Sequence, residues 1–234
     1  MKITSVTVPV DDLAEAERFY GRTLGLPVRR DRGAALVVTV GGTEVRLVEQ
    51  QSERAVDHLA ITVPADAFSA AKSWLRERVE LMTLDGQDEF EGSLSWRSRS
   101  LYFSGPSGSV LELIARHRLP ALAGDVPFGP EHLLCVSEVG VAVPDVPAAI
   151  RLLQEATGLK VFGEGVGETF AAVGDDDGLL IVVAEGRPWF PTSDRRVTAT
   201  PRAVTATGVC AAPIQLQLGS TTVSLHGAEA TISG

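Results

Sequence analysis

Two side chains that can bind a metal or share a proton stand on alternating strand patterns in the middle of the sequence. The stretch 55–63 alternates polar and apolar residues, which predicts a half-buried strand with His58 on its polar face. In 109–114 the same alternation places Glu112 opposite the neighbouring leucines. We expect the two strands to lie side by side, so that the imidazole and the carboxylate project into one cavity.

A third alternating stretch lies shortly before Glu112. Polar and aromatic side chains recur there at every second position, namely Trp96, Ser98, Ser100 and Tyr102. We expect this face to line the same cavity, with Tyr102 as a proton donor or an oxyanion partner. The alternative for Trp96 is that its ring only closes the opening of this cavity.

The composition limits the class of protein. A chain of 234 residues with 44% hydrophobic residues can bury a core in one large or two small domains. The formal net charge of −9 argues against a nucleic-acid surface or an anionic membrane as a partner. There is no signal-peptide pattern, no apolar run long enough to span a bilayer and, with two cysteines, no disulfide framework. We therefore expect a soluble, cytoplasmic protein.

One structural unit recurs along the chain. Residues 3–13 align without a gap with residues 136–146, and the alignment still holds at the Gly-Leu pairs 25–26 and 158–159. Each copy reads as an alternating strand, an aspartate cap and a helix that closes on glycine, followed by strands broken by glycine turns. A middle copy begins at the strand that carries His58. The pattern predicts an α+β fold of repeated β-α-β-β-β units.

The units also predict the domain organisation, with two tandem domains joined by a stretch rich in proline and glycine. The last unit is degenerate, because it has strand chemistry but no amphipathic helix. The expected boundaries are 1–117 for the first domain with units 1–53 and 54–117, 118–131 for the linker, and 132–234 for the second domain with a full unit at 134–186 and the degenerate unit at 195–228.

Paired units of this kind, with a histidine on the first strand and a glutamate on the last, resemble the vicinal oxygen chelate superfamily. The turn 104–109 also looks like the Asp-Pro-x-Gly-Asn hairpin ahead of that family's glutamate ligand, with Gly105 in place of the Asp and Ser109 in place of the Asn. The family includes glyoxalase I, fosfomycin-resistance enzymes, extradiol dioxygenases, methylmalonyl-CoA epimerase and bleomycin-binding proteins. The resemblance covers 1–115 and, through the repeat, 134–185.

The resemblance implies that two consecutive units pair and curve into a half-open barrel around a metal. Four ligand positions then face the cavity, and here they hold Ser5, Arg46, His58 and Glu112. His58 and Glu112 are ordinary ligands for zinc, iron, nickel or manganese. Ser5 can offer a weak hydroxyl or hold a water. Arg46 has no lone pair for a metal, so we expect it to bind a substrate carboxylate or phosphate, or to pair with Glu112.

For function, the resemblance implies a small-molecule enzyme of the glyoxalase or dioxygenase type, acting as a lyase or isomerase or as a dioxygenase. Two vicinal oxygens of the substrate would displace water from a divalent metal on His58 and Glu112, with Tyr102 as the catalytic proton donor. The substrate-binding residues would be Ser5, Arg46, Trp96 and Ser100. The alternative is a metal-free protein that binds an antibiotic or a metabolite, as the bleomycin-resistance members do, with His58 paired to Glu112 or Arg46.

The second half of the chain is expected to support this site or cover it. The ligand positions there correspond to Glu138 and Val182, and without a histidine nearby we interpret Glu138 as a surface or interface carboxylate. The aromatic residues of 186–191 lie between prolines, which favours a packed connection over a binding motif. The degenerate last unit leaves a sheet edge, so a homodimer is a further expectation.

Overall fold

The computed structural model describes residues 1–31, 35–50, 56–121 and 127–227. The strands are β1 (Lys2–Val10), β2 (Val28–Arg30), β3 (Ala35–Val40), β4 (Thr43–Glu49), β5 (His58–Val63), β6 (Phe90–Glu91), β7 (Ser98–Ser104), β8 (Val110–Arg116), β9 (Cys135–Val143), β10 (Val161–Phe162), β11 (Phe170–Asp175), β12 (Gly178–Ala184), β13 (Arg202–Thr207), β14 (Ile214–Leu218) and β15 (Thr221–Leu225). The helices are α1 (Leu13–Glu17), continued by a π-helical turn over Arg18–Thr23, then α2 (Phe68–Arg76) and α3 (Val146–Thr157).

The strands form two mixed sheets. One has seven strands in the order β14-β15-β13-β1-β4-β3-β2, and the other has eight in the order β10-β11-β12-β9-β5-β8-β7-β6. In every unit the first strand pairs in parallel with the last, as β1 does with β4 and β5 with β8. This shared topology confirms the predicted fold class of repeated units paired into curved mixed sheets, including a last unit without a helix.

The units pair in a different order from the expected one. The first strand of unit two, β5, runs antiparallel beside the first strand of unit three, β9. In the same way β1 of unit one runs antiparallel beside β13 of the degenerate unit four. The expectation that units one and two share one barrel is therefore wrong, because each belongs to a different sheet. The middle units, two and three, build the sheet that carries His58.

Two of the helices begin at predicted aspartate caps. The Asp12 carboxylate accepts hydrogen bonds from the backbone N–H groups of Ala14 and Glu15, and that of Asp145 accepts one from Ala148. Helix α3 ends at Gly158, whose φ of 70° is the left-handed conformation that glycine adopts without strain. None of the helices in the described ranges is long and apolar enough to cross a bilayer.

The helices lie against the apolar faces of both sheets and form one core with them. Phe68 and Leu75 of α2 and Ile150 of α3 are buried in this core, together with strand residues such as Val6 and Leu113. A second cluster of buried apolar residues lies on the opposite face of the eight-stranded sheet. It packs around a cavity, and that face is where the functional site is found.

Some predicted boundaries differ from the observed ones. The sequence pattern at 79–83 predicts a strand, but only a single bridge between Leu81 and Phe103 forms there. The pattern at 197–200 also predicts a strand, but the strand begins at Arg202, directly after Pro201, which cannot donate to a strand ladder. Several domain predictions fall partly outside the described residues, namely the boundary between units at 53 and 54, the central part of the linker 118–131 and the last residue of the unit 195–228.

Candidate metal centre

A cavity of about 760 Å³ opens on one face of the eight-stranded sheet. His58, Glu112 and Glu138 stand together in it, and we call these three residues the triad. The wall is rich in aromatic rings, although the whole chain has only three Trp, two Tyr and eight Phe. The aromatic lining consists of Phe90, Trp96, Tyr102, Phe170, Trp189 and Phe190.

Strand register brings the triad together. Ala60 of β5 lies opposite Glu112 of β8 on one side and opposite Glu138 of β9 on the other. His58 is two residues before Ala60, so its side chain leaves the same face of the sheet. All three side chains are buried, with 7% exposure for His58, 3% for Glu112 and 4% for Glu138. Three neighbouring strands therefore place one imidazole and two carboxylates on one surface.

The atoms of the triad are spaced like ligands around one ion. His58 Nε2 lies 3.5 Å from Glu112 Oε2 and 3.9 Å from Glu138 Oε2, and the ligand atoms all lie within 4.8 Å of one another. Two atoms that are each about 2.1 Å from one metal, at a tetrahedral angle, are about 3.4 Å apart. A directly hydrogen-bonded pair would have closed to about 2.9 Å instead.

The other nitrogen of His58 is already engaged. Nδ1 lies 3.1 Å from the carbonyl oxygen of Val110, so the tautomer with a proton on Nδ1 donates to that carbonyl. The lone pair of this tautomer is on Nε2, the nitrogen that faces Glu112 and Glu138. A hydrogen bond to the second nitrogen is the usual way in which proteins orient a metal-binding histidine. The residues present therefore fit a divalent metal.

Arg116 binds the remaining oxygen of Glu138. Its Nη2 donates to Oε1, and its side chain has no exposed surface. Oε2 of Glu138 is left directed toward His58. Nε and Nη1 of Arg116 have no hydrogen-bond partner, and the guanidinium lies near the rings of Trp96 and Phe162. One fixed cation thus orients the third carboxylate and offsets part of the negative charge of the triad.

The triad shifts the pKa values of its own members. Burial, with the charge of Glu138, raises the pKa of Glu112 to about 7, although His58, Ser100 and Arg116 oppose the shift. Burial lowers the pKa of His58, but Glu138 and Glu112 outweigh it and leave that pKa raised. The Glu112 shift thus comes mainly from burial, whereas the His58 shift comes from the two neighbouring carboxylates.

Trp189 forms the floor of the cavity beneath His58. Its ring is buried and stacks on the imidazole, with 5.0 Å between ring centroids. The indole N–H donates to the Val56 carbonyl, which fixes the orientation of the ring. The ring also lies directly over Gly140, where a Cβ atom would be 2.6 Å from Trp189 Cη2. The segment 186–191, expected to be only a packed connection, therefore contributes to the cavity wall.

Tyr102, Ser100 and Trp96 all line the cavity. Tyr102 lies across from Glu112 in the β7–β8 ladder, and burial and the nearby carboxylates raise its pKa well above the usual value. Its phenol is thus held in the protonated form. The Ser100 hydroxyl lies close enough to Glu112 to lower the pKa of that carboxyl in part. The Trp96 indole donates to Glu164 at 3.0 Å, so this ring is fixed at the rim.

Residues 2–113 match the model of the Glyoxalase/Bleomycin resistance protein/Dioxygenase superfamily. This part of the chain belongs to that superfamily. No curated protein matches the sequence. The match over residues 2–113 confirms the expected family. The third member of the triad, Glu138, lies beyond the matched residues.

Solved structures of similar fold extend over almost the whole chain. A putative dioxygenase from Bacillus subtilis subsp. subtilis str. 168 has 17% identity and a TM-score of 0.63, with 98% of this chain and 86% of that chain covered. Glyoxalase I from Zea mays has 15% identity and a TM-score of 0.57, with 96% and 91% covered. At these identities the similarity establishes the fold of the superfamily alone.

Ser5 and Arg46, carried over from the superfamily pattern, do not join the triad. Both lie in the seven-stranded sheet, where Ser5 pairs with Thr205 and Arg46 with Val37. Arg46 Nη1 binds Asp31 Oδ2 at 2.5 Å rather than Glu112. Neither residue lines the cavity of the triad. The reason is the pairing of the units, because unit one completes unit four and not unit two.

Glu138 of unit three lies beside His58, where Ser5 and Arg46 of unit one had been expected. Glu138 was expected to be a surface or interface carboxylate. It is not at the surface, because it is buried beside His58 where units two and three meet. The internal repeat carried a usable signal, since Glu138 occupies the position in unit three that Ser5 occupies in unit one. The other ligand position of unit three was expected at Val182, which is one residue away from the one that faces the cavity. Ile181 lines the cavity, whereas Val182 packs into the core between the sheet and the helices. The structure thus has three candidate ligands and one apolar position.

Proposed function

We propose that this chain is a metal-dependent small-molecule enzyme of the glyoxalase or dioxygenase type. The triad would hold one divalent metal, with zinc, iron, nickel and manganese all compatible with one imidazole and two carboxylates. The observation that carries the proposal is the geometry around His58: Nδ1 lies 3.1 Å from the carbonyl oxygen of Val110, and Nε2 lies 3.5 Å and 3.9 Å from oxygens of two buried carboxylates. A purely structural histidine would not need a second buried carboxylate.

The cavity favours a substrate with an aromatic or apolar body. Its volume of about 760 Å³ is typical of a site for a small organic molecule. The aromatic rings that line the cavity, among them Phe90 and Trp189, would exclude water and pack against a flat ligand. The polar groups are concentrated around the triad, so the reactive oxygens of the substrate would lie there.

When bound, a divalent metal would accept two neighbouring oxygens of the substrate and stabilise negative charge that develops on them. Tyr102 would donate a hydrogen bond to a substrate oxygen, because its raised pKa keeps the phenol in the protonated form. Ser100 would hold the Glu112 carboxylate in place. Arg116 would fix Glu138 so that only Oε2 faces the cavity.

Metal content tests the proposal most simply. Protein purified without a metal-affinity column should contain near-stoichiometric divalent metal after supplementation with manganese, iron, zinc or nickel. A His58→Ala variant should lose it, and the matched control His117→Ala should keep it, because His117 is exposed and lies outside the cavity. A protein that takes up none of these metals would instead be a metal-free binding protein of the bleomycin-resistance type.

A further inference from the structure

Arg187 is a cation on the wall of the cavity, in the segment that links β12 to β13. Among the described residues that line the cavity, it is the one lysine or arginine. Its side chain is half-buried, and its guanidinium centre lies 5.2 Å from the centre of the Phe170 ring. Within the described part of the chain, the guanidinium makes one long hydrogen bond, 3.3 Å from Nη1 to the carbonyl oxygen of the adjacent Pro188.

The backbone of this segment is held rigidly. The N–H of Gly186 donates to the carbonyl of Val197, and the N–H of Val197 donates to the carbonyl of Arg187. Two residues further on, the N–H of Trp189 donates to the carbonyl of Arg195. The backbone positions of Arg187 and of Trp189, whose ring stacks on His58, are therefore fixed together beside the cavity.

The acidic residues of the cavity do not neutralise Arg187. Glu89 binds Lys72 and Arg99, and Glu138 binds Arg116. Glu164 accepts hydrogen bonds from Ser93, Ser95 and Trp96. Glu91 lies 3.4 Å from Arg99, and Glu112 lies beside His58. In the described part of the chain, the cavity thus contains a partly desolvated guanidinium whose counter-ion is missing, since each carboxylate has another partner.

We propose that Arg187 binds the carboxylate of a flat aromatic acid. The carboxylate would receive charge-assisted hydrogen bonds from the guanidinium, and the ring would pack against the aromatic lining of the cavity. The vicinal oxygens would lie at the triad, a part of the inference that rests on the proposed function. Partial burial strengthens such a contact, because little water competes for the guanidinium. Arg187 would therefore be the residue that selects acids over neutral analogues.

The anion subsite can be tested on metal-free protein, which separates it from the metal proposal. The probes are 2-naphthoate and its neutral analogue 2-naphthalenemethanol, titrated by calorimetry into EDTA-treated protein. Neither probe has vicinal oxygens, so neither needs a metal. We expect 2-naphthoate to bind about tenfold more tightly or better, and Arg187→Met to remove that preference. Arg187→Lys should retain part of it, since the positive charge remains.

Arg151→Met is the matched control, because Arg151 is exposed on α3 and its loss changes the net charge equally. That variant should keep the preference of the wild-type protein. The subsite proposal is overturned if 2-naphthoate does not bind, if the two probes bind equally, or if Arg187→Met and Arg151→Met lose the preference to the same extent. A retained preference in a protein that takes up no metal would support the subsite and refute the metal enzyme.

Discussion

Glu138 Oε2 lies 3.9 Å from His58 Nε2, although the two residues belong to different repeats of the chain. The contact exists because β5 and β9, the first strands of units two and three, run antiparallel as neighbours in one sheet. Glu112 reaches the same point from β8 on the other side of β5. The pairing of β5 with β9 thus brings residues of two units into one candidate metal site. The C-terminal half of the chain therefore contributes a residue to the site directly.

Replacing Glu138 by glutamine should weaken metal binding by at least about tenfold, because the amide loses the charge that a divalent cation requires. The change is nearly isosteric, so the fold should persist. Titration with manganese, followed by calorimetry, measures the affinity. Glu131→Gln serves as a control, since Glu131 is exposed and lies outside the cavity. Equal affinities for the two variants would remove Glu138 from the site.

Replacing Arg116 by methionine should destabilise the metal-free protein by about 3–5 kcal/mol, because it leaves a buried carboxylate without its partner. Saturating manganese should recover part of this loss, since a bound cation would neutralise Glu138 again. Urea denaturation with and without the metal measures both effects. Arg118, a half-exposed arginine that binds Asp176, provides the comparison: Arg118→Met should cost less than about 1 kcal/mol. A metal effect of the same size in both variants would contradict the assigned role of Arg116.

Adding a methyl group at Gly140 should disturb the floor of the cavity. The new Cβ would be 2.6 Å from Trp189 Cη2 and 3.4 Å from His58 Cβ, so the indole must move. We expect Gly140→Ala to cost about 1–3 kcal/mol and to alter the tryptophan signal in near-ultraviolet circular dichroism. At Gly42 the nearest atom would be 3.9 Å away, and Gly42→Ala should leave that signal unchanged. An unperturbed Gly140→Ala spectrum would show that the ring is not fixed as described.

The raised pKa of Glu112 predicts a pH dependence of stability in the metal-free protein. Its folded pKa of about 7 lies above the unfolded value of 4.5, so the folded state holds its proton over that interval while the unfolded state loses it. Relative to Glu112→Gln, the wild-type protein should therefore lose about 3 kcal/mol of stability as pH rises from about 4.5 to above 7. Urea denaturation of EDTA-treated protein at several pH values measures the difference. A difference that stays constant with pH would count against a buried, charge-coupled Glu112.

Metal affinity should show the opposite trend. The metal requires ionised Glu112, so a proton competes with it below pH 7 and the affinity should rise with pH through that value. Calorimetric titration with manganese, over the same pH range as the stability measurement, tests this. Affinity that is independent of pH would mean that the metal binds elsewhere.

Much of the fold was accessible from the sequence because each unit repeats the same local signals. Alternation places His58 and Glu112 on the polar faces of their strands, and the aspartates at 12 and 145 begin helices as predicted. The pairing of the units carries no such local signal. Every first strand has the same alternating pattern, and strands that are consecutive along the chain are usually neighbours, which favoured pairing units one and two.

The errors at the site follow from that one assumption. Ser5 and Arg46 were placed at the metal because unit one was expected beside unit two, and Glu138 was placed outside it for the same reason. Trp189 and Arg187 could not be assigned from pattern, since they lie in a proline-containing connection without periodicity. The contact that ties this connection to the cavity is long-range, from the indole N–H of Trp189 to the carbonyl oxygen of Val56.

The most direct test of the central claim is the location of a bound ion. Crystals of the protein grown or soaked with manganese chloride should give one strong anomalous peak within coordination distance of His58 Nε2, Glu112 and Glu138, with the Nδ1 hydrogen bond to Val110 retained. The absence of a peak at the triad, together with a direct hydrogen bond between His58 Nε2 and either carboxylate, would contradict the account and leave the three residues as a structural network.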